Sequence, residues 1–316
     1  MTTMTKPRVT LVDLLWVAWR RHRSLILATT GLVALAALLM VWTGLALPSR
    51  MDHLSLPSFL LMDQLYSADM FFGAVVGVFW GAPLVSREYE QRTNLVVWSQ
   101  DVSGSRWLVG QVSLLGAVAA CLAAVVGPAT GFLLDSVRGT TGGSYRLFQS
   151  DSFEAVPHVQ IGYTLFAFAL GVAAGTVTRR TLPAMAITAV GFLGVRVVLA
   201  WWGREHYLPP VHTFEAWSPP GVDYVPQVPP DALYVASGYA DVNGVPIGDH
   251  DWNCAGRNAV EQLDCLKANG VAGHYAEFQP VERLDLFRWI ETGIFLVLAA
   301  GLLVLAWWWL KQARRV

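Results

Sequence analysis

Six long apolar stretches constrain the fold of this chain more than any other feature of its sequence. Because a helix needs about 20 apolar residues to cross the hydrocarbon core of a bilayer, each stretch is a candidate membrane span. The stretches cover residues 25–47, 71–85, 107–134, 159–178, 181–202 and 289–310. The second is short and needs residues 67–70 and 86 to reach the required length, which places Asp69 near one membrane face. The sequence therefore predicts an all-α polytopic membrane protein with six transmembrane helices.

The composition supports a membrane location. Hydrophobic residues make up 54% of the chain and charged residues only 14%, where a soluble domain carries roughly 25% charged residues. Fourteen Trp and nine Tyr are available for the headgroup layer, which such amphipathic rings favour. The net charge of −1 does not suggest a nucleic-acid partner. The first apolar stretch is too long for a cleaved signal peptide, so it is expected to stay in the protein.

The distribution of Lys and Arg predicts the orientation of the spans, because these residues are retained in cytoplasmic connections. With the amino terminus inside, 13 of the 22 lie in short cytoplasmic segments and 8 in the longer external ones, while Arg196 remains in a span. We therefore expect a multi-pass protein of the cell membrane with both termini in the cytoplasm, the last being a tail at residues 311–316.

Residues 1–24 form a cytoplasmic segment that is predicted to contain an interfacial helix. Leu11, Leu15, Ala18 and Trp19 share one helical face and are followed by a basic cluster. Such a helix lies in the inner interface, with its apolar side in lipid and its cations near anionic headgroups. The same residues also fit a simple flank that sets the topology.

Residues 25–202 contain the first five spans, and their one sizeable cytoplasmic connection, residues 87–106, is mixed in character. A charged first turn is followed by four apolar residues at 95–98 and then by a Ser and Gly stretch. Apolar side chains that face the cytoplasm need a cover. This loop therefore either folds back onto the membrane or docks on another protein.

Residues 203–288 form a large external segment before the last span, residues 289–310. The segment is long enough for a small domain and contains Cys254 and Cys265. On an oxidising face of the membrane such a pair usually forms a disulfide, although two free thiols would also fit. Cys121, in the third span, is expected to pack as a small apolar side chain.

Two clusters of His and acidic residues in the external segment have side chains that could bind a metal, because imidazoles and carboxylates bind zinc or copper. The Pro residues between them define no fixed geometry, and no metal site is expected. The clusters are Glu205, His206, His212 and Glu215, and Asp249, His250 and Asp251.

Glycines recur at every fourth position on two of the predicted spans. Small residues at this spacing allow helix backbones to approach closely. They are expected to pack helices within one bundle, and a face for self-association is the alternative. The glycines are Gly73, Gly77 and Gly81 on the second span, and Gly171 and Gly175 on the fourth.

Two charged residues lie within or at the border of a predicted span. Arg196 lies in the fifth span, and Glu291 opens the sixth. A charge at mid-helix costs about 2.5–3.5 kcal/mol on insertion scales, and such residues are often functional. Because Arg196 lies close to the end of its span, two interpretations stay open. It either snorkels to the outer headgroups or lies in a cavity with Glu291 or Asp69 as its partner.

The chain lacks the common motifs of catalysis. A P-loop requires a Gly-rich run closed by Gly-Lys-Ser or Gly-Lys-Thr, which surrounds the phosphates of ATP, and the sequence has none. It also lacks the His-Glu-x-x-His zinc motif, the Gly-x-Ser-x-Gly nucleophile motif and a two-cysteine metal knuckle. We therefore expect a chain that is not itself an enzyme.

The region after the second apolar stretch, GAPLVSREYEQRTNLVVWSQDVSGSRWLVGQ, carries an ordered set of residues. The set is Arg87 and Glu88, Thr93, Trp98 and Gln100, Val102 and Ser103, and Arg106 with Trp107. In this order, and in its layout of six spans with a large external segment, the chain resembles the permease subunits of type-2 ATP-binding-cassette transporters, particularly the actinobacterial type. Two positions depart from that pattern: Arg92 stands where Gly is common, and Gly104-Ser105 stands where Thr or Arg is often seen.

The resemblance implies the permease subunit of an ATP-driven exporter for a hydrophobic or amphipathic compound, a peptide or a lipid. It also implies a second permease copy or homologue, and two separate ATPase subunits docked on the 87–106 loop. The chain itself would bind no cofactor, and the ATPase partners would hold ATP and Mg²⁺. The implied docking residues are Arg87, Glu88, Thr93, Val97, Trp98, Gln100, Ser103 and Arg106.

Two other functions fit parts of the sequence. A membrane-anchored sensor or assembly factor would use the external segment to bind a ligand or a protein, without an ATPase partner. An ion-coupled carrier would be expected to have several intramembrane carboxylates and two similar halves. For a carrier, only Asp69 and Glu291 qualify, and the sequence shows no internal repeat.

Overall fold

The computed structural model describes residues 10–46, 69–92, 103–141, 147–217, 228–248, 254 and 259–312. Within these ranges, six helices are long and apolar enough to cross a membrane. The prediction of an all-α polytopic membrane protein with six membrane helices is therefore confirmed. The chain divides into two compact units. Unit 1 holds Met1–Tyr145, Gln149–Leu199 and Arg288–Val316, and unit 2 holds Arg146–Phe148 and Ala200–Phe287.

The helices of the described residues are numbered along the chain. The six candidate spans are α1 Leu11–Ala46, α2 Asp69–Glu90, α3 Gly104–Thr141, α5 Pro157–Thr178, α6 Thr181–His206 and α8 Leu284–Gln312. Two shorter helices are α4 Ser150–Glu154 and α7 Ala259–Ala268. Helices α2 and α6 each contain one π-helical turn, at Gly77–Gly81 and at Leu199–Gly203.

Helix α1 runs without a break from Leu11 to Ala46. It begins with a capping box, in which the backbone N of Thr10 donates to Asp13 and the backbone N of Asp13 donates to Thr10 Oγ1. Its 36 residues give a length of about 54 Å at 1.5 Å per residue. The interfacial helix expected in residues 1–24 is therefore not a separate element. It forms the first turns of α1, because no Gly or Pro lies between Leu11 and the first span.

Helix α5 is the central helix of unit 1. In its most apolar window 72% of the residues are buried, compared with 17% in α1. It packs against α2, α3 and α6, while α1 packs against α3. The main hydrophobic core also includes residues of α8 and contains Trp80, Leu115, Phe168, Val172 and Ala306. A central helix in contact with three others can carry a movement from one span to the next.

Unit 2 contains a three-stranded antiparallel sheet that was not predicted from the sequence. The strands are β1 Val211–Ala216, β2 Leu233–Ala240 and β3 Gly273–Gln279. Their order is β1-β3-β2, so the last strand in the sequence lies in the centre. Helix α7 carries Cys265, which forms a disulfide with Cys254 beside Leu266 and Val271.

Replacing Cys254 and Cys265 together by Ser is expected to destabilise unit 2 by about 3 kcal/mol, because a disulfide across a short loop restricts the unfolded chain. The two cysteines are separated by 11 positions. The measurement is the urea concentration at which unit 2 of the full chain becomes sensitive to a protease. Cys121→Ser is the control, since Cys121 is a free, exposed cysteine on α3. An equal midpoint for both variants would contradict the prediction.

Candidate functional site

Helix α2 ends where the 87–106 loop begins, and an ion pair joins this end to α1. The Glu88 side chain is 2% exposed, and its carboxylate accepts a hydrogen bond from the guanidinium of Arg21. The Arg21 side chain is 41% exposed. A buried carboxylate needs a compensating charge, and Arg21 supplies it. The pair therefore holds α1 against the last turns of α2.

A second contact joins the same end of α2 to α6. Glu90 accepts hydrogen bonds from the backbone N of Thr181 at 2.8 Å and from its Oγ1 at 2.7 Å. Thr181 is the first residue of α6, where backbone N–H groups lack a partner within the helix and favour an anion. Ser86 Oγ also lies 3.0 Å from Thr181 Oγ1. Glu90 thus caps α6 from a neighbouring helix.

The turn between α5 and α6 contacts this part of α2 as well. Arg179 ends α5 with a left-handed backbone, φ 54°, which is uncommon for a residue other than Gly. Its guanidinium lies 5.0 Å from the centre of the Tyr89 ring, within the range of a cation–π contact. Helix α1, the α5–α6 turn and α6 therefore all hold the last turns of α2.

The docking residues expected from the sequence lie in different environments. Arg87 is exposed, whereas Glu88 faces α1. At the start of α3, the backbone N of Arg106 donates to Ser103 Oγ over 3.2 Å, and Arg106 is exposed. Four further predicted residues lie outside the described part of the chain: Thr93, Val97, Trp98 and Gln100. Glu88 is therefore buried against α1 at the end of α2, and its role in docking stays a prediction.

The glycines singled out in the sequence lie where α2 and α5 meet. A Cβ atom at Gly77 would lie 2.6 Å from the carbonyl oxygen of Ala167, and one at Gly175 would lie 2.5 Å from that of Ala82. A Cβ atom at Gly171 would overlap the backbone of α2. A Cβ atom at Gly73 would meet the Phe192 ring of α6 at 3.2 Å, whereas one at Gly81 would lie 2.5 Å from the carbonyl oxygen of Phe168 in α5. Because these distances leave no room for a side chain, the two backbones are in direct contact.

Arg196 is buried in unit 1, at 2% exposure, and does not snorkel to a membrane surface. Its Nε lies 3.1 Å from Glu154 Oε1, and its Nη2 contacts Glu154 Oε2. Its Nη1 donates to the backbone oxygen of Met70 over 2.7 Å. The ion-pair partner is therefore Glu154 of α4, and neither Glu291 nor Asp69, the two partners considered from the sequence.

Glu291 of α8 is also buried, and its carboxylate accepts a hydrogen bond from the hydroxyl of Tyr163. The Tyr163 ring packs against Phe295 and Phe192, at centroid distances of 4.4 and 6.5 Å. Helices α5, α6 and α8 therefore meet around a carboxylate inside an aromatic cluster.

Sequence reasoning missed Glu154. It lies three residues before Pro157, outside every predicted span. A signal was nonetheless available, because an arginine inside a span requires an acid at a similar depth. An acidic residue just before an apolar stretch meets that requirement.

Among the residues that the structure describes, no three His, Cys, Asp or Glu side chains gather as metal ligands. In unit 2, His212 Nε2 lies 2.9 Å from the backbone oxygen of Gly244, and its Nδ1 lies 3.4 Å from Glu277. The second cluster considered from the sequence lies outside the described ranges: Asp249, His250 and Asp251.

Comparison with known proteins identifies a family for this chain. Residues 30–204 match the profile of the family described as ABC-2 membrane transporter related. The matched range is more than half of the chain, and it includes the end of α2, the glycine interface and the Arg196–Glu154 pair. No curated protein and no solved structure matches the sequence. The family match and the six membrane helices agree, and the chain belongs to the ABC-2 membrane transporter related family.

Proposed function

We propose that the chain is the permease subunit of an ATP-driven exporter in the cell membrane. Family membership and the six spans support a transporter permease. In this proposal, two copies of the chain, or one copy and a homologue, enclose the pathway. Separate ATPase subunits, which hold ATP and Mg²⁺, dock on the 87–106 loop. The distribution of Lys and Arg supports a cytoplasmic position for that loop and for both termini.

The contacts around the end of α2 carry the proposal. The loop starts at residues that also hold α1 through Arg21 and α6 through Thr181. Earlier in α2, the glycine interface brings the backbone of α2 against the backbone of α5. A movement of the loop would therefore displace several spans together. A subunit without its own ATP site requires such a connection. The closure of the separate ATPase subunits around nucleotide must be transmitted to the spans that enclose the pathway.

Arg21→Ala is expected to lower ATP-driven efflux about fivefold or more while ATPase binding is retained. The variant removes the ion pair between Arg21 and Glu88 and loosens α1 from α2, and coupling energies of this kind are about 1–3 kcal/mol. The measurement is ATP-dependent uptake of a fluorescent amphipathic dye by inside-out vesicles that contain the chain and its ATPase. Arg20→Ala is the matched control. Arg20 is the neighbouring arginine, and its guanidinium lies over the Trp16 ring of the same helix, whereas that of Arg21 contacts α2.

Docking is tested separately by co-purification of the ATPase. Trp98→Ala is expected to reduce recovery of the ATPase, since an apolar residue in a cytoplasmic loop needs a covering partner. If Trp98→Ala combined with Glu88→Ala leaves ATPase recovery and efflux unchanged, the loop is not the docking site. A chain that purifies without any ATPase would favour the membrane-anchored sensor.

A further inference from the structure

A cluster of buried polar residues lies in unit 1 at the start of α2, at the opposite end of that helix from the loop. Its members are Asp69 of α2, Glu154 of α4, Gln160 of α5 and Arg196 of α6. Each is at most 2% exposed. Four elements thus bring two carboxylates and one guanidinium together inside the bundle.

The arginine of this cluster forms an ion pair with one of the two carboxylates. Nε and Nη2 of Arg196 contact the two oxygens of Glu154, and Nη1 donates to the Met70 carbonyl. This two-point contact is the strong geometry of an arginine–carboxylate pair. Arg196 therefore neutralises Glu154 and leaves the charge of Asp69 to be balanced by something else.

Asp69 has few partners of its own. Its Oδ2 accepts one long contact, 3.4 Å, from the side-chain amide of Gln160. Its Oδ1 has no hydrogen-bond partner among the described residues by distance and angle, and the backbone N–H of Met70 is the other donor near the carboxylate. The charges that act on it are those of Glu154, Arg196 and Asp151. Two of these are negative, and the third is already paired.

The free-energy cost of burying a charge determines whether the Asp69 carboxyl group is protonated. An ionised carboxylate without a cation or strong donors costs several kcal/mol in a protein interior, even after relaxation. A neutral carboxylic acid avoids most of this cost, because only the charged form loses a large solvation energy. Helix α8 contributes the buried acid Glu291, bonded to Tyr163. Its Arg288 donates to the backbone oxygens of Ser152 and Phe153 in α4, over 3.0 and 3.1 Å. The cation among the charges that act on Asp69 is Arg196.

We propose that Asp69 is a proton-binding site, which holds a proton in this conformation and releases it to water when the cluster becomes hydrated. The ligand is H⁺, and release leaves Asp69 as an ionised carboxylate. Opening of this end of the bundle is then coupled to the loss of one proton, so that higher pH favours the hydrated conformation. Proton binding does not depend on the proposed exporter function, whereas its coupling to turnover rests on that function.

Infrared spectroscopy of the full chain in lipid nanodiscs at about pH 7 tests the site directly. An exposed Asp with a pKa of about 3.9 is protonated in about one molecule in a thousand at that pH. The carbonyl band of a protonated carboxylic acid is expected in the wild type and is expected to be lost in Asp69→Asn. Asp135→Asn is the matched control, because Asp135 is exposed on α3, and this variant should keep the band. An identical band in the wild type and Asp69→Asn overturns the proposal.

A second measurement uses the wild type alone, so that it does not depend on the folding of a variant. Dicyclohexylcarbodiimide adds to protonated carboxyl groups in apolar surroundings, and mass spectrometry locates the adduct. An adduct on Asp69 that declines as the pH rises, without one on Asp135, supports the site. Adducts on other carboxyl groups but not on Asp69 overturn it.

Coupling is read from the pH dependence of ATP hydrolysis by the reconstituted complex. Asp69→Asn is expected to remove at least about half of that dependence, since it fixes the neutral form. An unchanged pH profile beside a clear infrared band overturns the coupling alone. A complex without ATP-driven transport overturns the exporter function, while the infrared result still decides the proton site.

Discussion

Arg196→Met is expected to lower the free energy of unfolding by about 3–5 kcal/mol, the cost of leaving one member of a buried ion pair without its partner. The variant removes the contacts of the guanidinium with both oxygens of Glu154 and with the Met70 carbonyl. Helices α2, α4 and α6 lose their common connection at the same time. The measurement is the midpoint of urea unfolding in detergent, followed by the fluorescence of the Trp residues.

A double variant separates the effect of an unpaired buried charge from the effect of changed side-chain volume. Combining Arg196→Met with Glu154→Leu is expected to recover much of the lost stability, because apolar residues of similar volume often replace a buried ion pair at little cost. Arg23→Met is the matched control, since Arg23 is exposed on α1, and it should change stability by less than about 0.5 kcal/mol. An Arg196→Met variant as stable as this control would show that the pair does not stabilise the bundle.

Gly171→Ala is expected to destabilise the bundle by about 1–3 kcal/mol, the usual cost of overpacking, and to abolish efflux. The new Cβ atom would overlap the Gly77 carbonyl oxygen and lie 2.6 Å from the backbone N of Ala82. Neither atom belongs to a side chain that can rotate away. Helix propensity favours Ala over Gly by about 1 kcal/mol, so the sign of the measured change tells which effect is larger.

Gly194→Ala is the control for that experiment. In α6, no described atom lies within 4 Å of the position that its Cβ would occupy. The substitution should therefore leave stability unchanged or raise it by up to about 1 kcal/mol. Thermal unfolding of both variants in the same detergent makes the comparison. If Gly171→Ala is as stable as Gly194→Ala, the α2–α5 interface has room that the structure does not show.

The spans could be predicted because each depends on a property summed over about twenty consecutive residues. Single anomalies such as Arg196, Asp69 and Glu291 do not remove that signal. The continuity of α1 was missed for a related reason. A basic cluster at Arg20–Arg23 marks a membrane boundary in the sequence, but Lys and Arg are good helix formers and do not end a helix.

Contacts between distant residues could not be predicted from the sequence. The Arg87-Glu88 pair was noticed as a motif, but the partner of Glu88 is Arg21, 67 positions earlier. Likewise Glu90 bonds Thr181, 91 positions later. Nothing local distinguishes an acid that binds a neighbouring helix from one that faces a partner protein. Only the fold brings these residues together.

The strands of unit 2 were missed because their sequences do not alternate cleanly. In β1, VHTFEA, and β3, GHYAEFQ, apolar residues are mixed with His, Glu and Gln. No position of β1 is buried, and the buried positions of β3 do not alternate. Apolar and polar residues alternate clearly only in a strand that has one buried face and one exposed face. The disulfide was foreseeable, since two external cysteines leave one pairing.

The length of α1 connects the ion pair at the end of α2 with residues far along the bundle. Arg21, held by Glu88, lies about 15 Å along the axis from Leu11 and about 38 Å from Ala46, at 1.5 Å per residue. Helix α1 also packs against α3 near both of its ends, at Leu14 beside Gly110 and at Gly44 beside Phe132. A displacement of Arg21 would therefore be transmitted to α3 along nearly the whole length of α1.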